Sequence, residues 1–113
     1  MSIEISPLRT RLSTDLRVAM KDRDTLTTLT LRSLLEAMDN ASAVPMTAEH
    51  LPVYGRSGDV PRRIVTEDDY RLIVRNEAAA RQAAALEYER LGRSEAAAHV
   101  RAELNVVMRY IDS

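Results

Sequence analysis

Apolar residues recur at helical spacing in four stretches of the chain, and each stretch is bounded by residues that start or stop helices. The longest runs from Thr66 to Leu91. At about 100° per residue, Tyr70, Ile73, Val74, Ala84, Ala85, Tyr88 and Leu91 fall on one face. Thr66 is a natural N-cap, and Asp69 stands where the acidic partner of a capping box belongs. Glu67, Asp68 and Asp69 place negative charge in the first turn, which suits the helix dipole. Alanine, the best helix former, fills the middle, and Gly92 follows as a C-cap.

The other three stretches read the same way. Ser6-Pro7 starts a helix carrying Leu8, Leu12, Leu16, Ala19 and Met20 on one stripe. Asp24 caps a second, whose face holds Leu31, Leu34, Leu35 and Met38. Thr30, Ser33, Ala37 and Ala41 widen that face to about half the circumference, so this helix is expected to pack on two others. Ser94 is expected to cap the last helix, where Ala97, Val100, Leu104, Val107, Met108 and Ile111 make a near-heptad stripe. The predicted helices cover 7–22, 25–41, 67–91 and 95–111. Residues 42–65 break the periodicity with Pro45, Pro52, Gly55, Gly58 and Pro61 and read as a long loop, with Leu51, Val53 and Tyr54 as its anchors. Short turns between amphipathic helices make antiparallel hairpins. The prediction is therefore one all-α domain over 1–113: two helical hairpins in a small four-helix bundle, joined by the loop.

Composition narrows the function. The chain has 113 residues, 45% of them hydrophobic, enough for one modest core. Its net charge of −1 favours neither nucleic acid nor an anionic membrane in bulk. The absence of cysteine excludes disulfides, a thiol nucleophile and thiolate metal sites. No apolar run reaches membrane-spanning length, and the N-terminus has no signal-peptide pattern. A cytoplasmic protein that does not enter the membrane is the expectation. Every basic residue except Lys21 is arginine, and Arg62-Arg63 in the loop is a candidate anion contact.

Glu77 and Arg81 are the most unusual feature. They are spaced i, i+4 in the favourable order, inside the apolar stripe of the third helix. Read structurally, they form a bridge that fixes helix register, joined by Glu103 or Arg32. Read functionally, they form a polar pocket for a ligand or partner, with Tyr88 and Tyr110 nearby on the core faces. Burying an ion pair rarely adds net stability, but the structural reading is preferred. Glu95, His99 and Glu103 share a helix side at i, i+4, i+8, a spacing that metal ligands use. Surface pairing is the commoner use, so no metal and no cofactor is predicted. No glycine-rich phosphate loop and no serine-triad arrangement is recognisable, so no catalytic residue is predicted.

Several short blocks carry a resemblance when taken together: AMKDRD at Ala19–Asp24, LRSLLEA at Leu31–Ala37, Asn40, Glu77, Arg81, EYERLGR at Glu87–Arg93, Glu103 and Tyr110. In order and spacing they resemble the GatB/YqeY-like family across 15–41 and 65–111. The resemblance implies a small helical protein related to the C-terminal region of the B subunit of the glutamine-dependent Asp/Glu-tRNA amidotransferase. That region helps to hold tRNA, while the kinase and glutaminase chemistry lies elsewhere in the enzyme. It implies a link to a carbon–nitrogen ligase with glutamine as amido-N-donor, without catalysis in this chain. The usual member continues into a second helical segment, which this sequence lacks after Ser113, and its connector is shorter than 42–65. Two functions follow as expectations. One is an accessory module touching tRNA or an amidotransferase-like partner; the other is a purely protein-interaction module, a homodimer through apolar helix faces.

Overall fold

The computed structural model describes residues 6–43 and 65–112. Among them lie four α-helices and no strand: α1 (Pro7–Lys21), α2 (Thr25–Ala43), α3 (Glu67–Arg90) and α4 (Ser94–Met108). The pairs α1–α2 and α3–α4 are hairpins, and α2 touches all three other helices. The chain is thus the all-α helical bundle that its periodicity predicts. The predicted loop has residues 44–64 outside the described ones, and Arg62, Arg63, His50, Leu51, Val53 and Tyr54 lie there with it.

Each helix start has a local cause. Ser6 Oγ accepts the Arg9 N–H at 3.0 Å, and Pro7 occupies the first position of α1. The Asp24 carboxylate accepts the Thr27 N–H at 3.1 Å at the head of α2. Thr66 and Asp69 close a reciprocal capping box at 3.1 and 3.0 Å. At α4 the expected cap is corrected. Ser94 is the first helical residue, and Arg93 holds the cap position without a side-chain bond. Arg93, whose N–H closes α3 by bonding Tyr88 O at 2.8 Å, stands where Asp24 stands in the first turn but has no short side-chain oxygen to offer as a cap.

Both hairpin turns use one device. The Arg23 N–H bonds Met20 O at 3.1 Å and the Asp24 N–H bonds Ala19 O at 2.9 Å. The Gly92 N–H bonds Glu89 O at 3.0 Å, and with the Arg93 bond this repeats the pattern. These are Schellman closures, which need one left-handed residue. Gly92 supplies it at φ 75°, but in the first turn Arg23 does so at φ 58°.

The core is assembled from all four helices. Leu8 and Leu12 of α1 meet Leu31, Leu34 and Met38 of α2, Val74 and Ala78 of α3, and Val106 and Val107 of α4. Alanine is also buried at Ala85 and Ala97, where the small side chain lets α3 and α4 lie close. Three stripe residues, Met20, Leu91 and Met108, are exposed. Helix α4 stops at Met108 rather than near 111. The next three N–H groups bond i−3 carbonyls: Arg109 to Val106, Tyr110 to Val107 and Ile111 to Met108. This tighter winding accompanies a Tyr110 that is buried against the core instead of continuing the helical stripe.

Candidate functional site

The polar centre of the bundle is Arg81. Its position on α3 points it between α2 and α4, and its side chain is 13% exposed. Nη1 donates to Glu77 Oε1 at 2.7 Å and to the Glu77 carbonyl at 3.2 Å. Nε donates to Glu103 Oε1 on α4 at 3.1 Å. Nη2 reaches Ser33 Oγ on α2 at 3.4 Å. The other Glu103 oxygen faces His99 Nε2 at 3.0 Å, with His99 well exposed. One planar guanidinium therefore ties three helices together, a task suited to a rigid fork of donors. Two carboxylates on one cation leave a local excess of negative charge, with His99 at its solvent edge.

The remaining candidates lie elsewhere. Arg32 is on the outer side of α2, its Nη2 3.8 Å from Met20 Sδ. Tyr88 is half-buried with Arg93 stacked 5.4 Å from its ring centre. Tyr110 is at the far end of α4, with its hydroxyl donating to Asp15 at 2.7 Å and Arg11 stacked 4.7 Å above the ring. Burial, and then the bond to Asp15, pushes the Tyr110 phenol far above its ordinary pKa. Beside it, a cleft of about 290 Å³ opens at the α1–α2 turn, lined by Asp15, Asp22, Asp24, Arg11 and Arg109 among others. The structure thus brings together Glu77, Arg81 and Glu103, and it separates Arg32, Tyr88 and Tyr110 from them. Among the described residues, no group of three or more metal-ligating side chains is arranged to hold an ion.

One polar junction escaped the sequence pattern. Glu67, read there as a first-turn acid of α3, also caps a different helix. Its Oε2 accepts the Leu8 N–H at 3.1 Å, and its Oε1 accepts the Ser6 hydroxyl. A carboxylate at the N-terminus of α1 answers the orphan donors and the dipole there. Arg71 approaches the same carboxylate at 3.9 Å. Nothing local in the sequence around Ser6 or Glu67 signals the pairing, because it spans the two hairpins.

The architecture and the Arg81 cluster, a latch across α2, α3 and α4, define a small all-α module whose central charges are paired with one another. The chain belongs to the family of Yqey-like proteins, whose sequence model matches residues 9–113. Membership makes it a helical module related to GatB-like proteins. Neither a curated protein nor a solved structure matches it. Among the described residues, no helix is long and apolar enough to cross a membrane.

Proposed function

We propose that this chain is a non-catalytic binding module of the cytoplasm, linked to tRNA-dependent amidation through contact with tRNA or an amidotransferase-like protein. The family match over 9–113 is the observation that carries the reading. The Arg81 cluster agrees with it. Glu77, Glu103 and Ser33 all engage one arginine across three helices, which is how a rigid scaffold uses charge. Nucleophilic catalysis, as in glutamine hydrolysis, would instead need a nucleophile held by a base. Glutamine-dependent ligation belongs, on this reading, to a larger assembly that the module serves.

The test is direct binding of labelled tRNA to the purified full chain over a salt series. Phosphate contacts make log K fall linearly with log salt, with a slope of roughly −0.7 to −0.9 per contact. A steep slope is the expected result for tRNA. Absent tRNA binding, together with no amidotransferase subunit captured from the native cytoplasm, overturns the proposal.

A further inference from the structure

The side of α3 opposite the core carries a second apolar strip. Leu72 and Leu86 are 51% and 53% exposed, and the alanines between them, Ala79 and Ala83, are exposed as well. Their spacing has a centre. Leu72 and Leu86 each lie seven residues from Ala79, which sits at the middle of Glu67–Arg90. Seven residues is within about 20° of two full turns, so all three share one line along the helix. Asp68 and Arg90, both exposed and opposite in charge, each lie eleven residues from Ala79, within about 20° of three turns.

We infer that this strip is the contact face of a homodimer, with the α3 helices of two copies packed antiparallel about a two-fold axis at Ala79. In that arrangement Leu72 meets Leu86 of the second copy at both ends of the strip. Asp68 meets Arg90 of the second copy just beyond. The first-turn acids of one helix face the C-terminal end of the other, which also opposes the helix dipoles favourably. Ala79 at the crossing point lets the backbones come close. A two-fold contact must be self-complementary, residue i facing j and j facing i. The Leu72/Leu86 and Asp68/Arg90 positions about Ala79 meet that condition, with Arg90 also bonded to Glu87 of its own helix and the exposed Arg75 facing the small Ala83 of the second copy, and an unrelated partner would have no need of that symmetry. One helix pair buries less than a standard interface, so the dimer is a weak, reversible one. The inference is independent of the tRNA reading, because the strip faces away from Arg81.

The absence of cysteine makes the test clean. Sedimentation of the full chain across concentration is expected to show a reversible monomer–dimer equilibrium. The Leu86→Glu variant, with its helical circular dichroism unchanged, is expected to stay monomeric. An Ala79→Cys variant is expected to form a disulfide-linked dimer under mild oxidation, because the two thiols meet at the axis. A Leu72→Cys variant should not, since its two thiols are about 21 Å apart along the helices. Mixed Leu72→Cys and Leu86→Cys variants should cross-link to each other. A chain monomeric at every concentration, or Leu72→Cys cross-linking as fast as Ala79→Cys, overturns the inference.

Discussion

Arg81 is the residue on which the interior charge balance turns. Its side chain is 13% exposed, against 31% for Glu77 and 27% for Glu103, so water screens the acids more than the base. An exposed pair contributes under about 1 kcal/mol, and stranding a fully buried charge costs roughly 3–5 kcal/mol. This cluster lies between those limits. Arg81→Met leaves two carboxylates facing each other near Ser33 and is expected to cost roughly 2–3 kcal/mol. Glu77→Gln leaves Arg81 still held by Glu103 and should cost about 1 kcal/mol. The double variant should cost less than the two singles added together, because Arg81→Met strands the Glu77 carboxylate that Glu77→Gln removes. Denaturant unfolding of the four proteins measures that coupling. Additive losses would show that the pair does not act as a unit. Unchanged stability with lost partner binding would move the cluster from latch to recognition site.

At the scale of the helices, the caps and turns were legible in the sequence because they rest on local chemistry. Ser6-Pro7, Asp24 and the Thr66–Asp69 box act within three residues of themselves. The cap of α4 was misread locally, since Arg93 rather than Ser94 holds it; the other misses had a distant cause. The end of α4 depends on Tyr110 finding the core and Asp15, a contact across 95 positions of the chain. Met20, Leu91 and Met108 fit their stripes by period, yet no neighbouring helix covers them. The two Schellman turns give a paired expectation. Gly92 has open space where a methyl group would stand, so Gly92→Ala meets no clash and is strained only by its positive φ. It should cost about 1 kcal/mol in urea unfolding. Arg23→Gly should relax the same strain and add up to about 1 kcal/mol, less whatever freedom glycine returns to the unfolded chain. Equal and negligible effects at both turns would refute this account. The cap on α2 makes a prediction in pH. Bonds from Thr27 hold the Asp24 carboxyl below its ordinary pKa. A group depressed in the folded state stabilises above its unfolded pKa, and that stability is lost as pH falls through the folded value. Asp24→Asn should therefore shallow the loss of stability below about pH 4. An acid limb identical to the parent chain would exclude the cap as its source.

For the whole molecule, periodicity revealed the bundle, but not which polar residues would meet. Glu77 and Arg81 could be paired from their spacing within one helix, and Glu103 was within reach as a partner on another. Arg32 looked equally eligible, yet the rotation of α2 turns it outward and brings Ser33 to the arginine instead. Helix rotation is set by packing, which no single-helix pattern contains. The same arrangement bears on activity. Releasing ammonia from glutamine needs a nucleophile activated by an adjacent base. The chain has no cysteine to serve. The Ser6 hydroxyl is engaged by Glu67 and the Arg9 N–H, and the Ser33 hydroxyl accepts from Arg81. His99 is turned to Glu103 at the surface, its Nε2 3.0 Å from the carboxylate. Purified protein incubated with glutamine is therefore expected to release ammonia no faster than a heat-killed control. Turnover above that control, abolished by a single substitution in this chain, would show that the module carries chemistry of its own and that reading it as a scaffold is wrong.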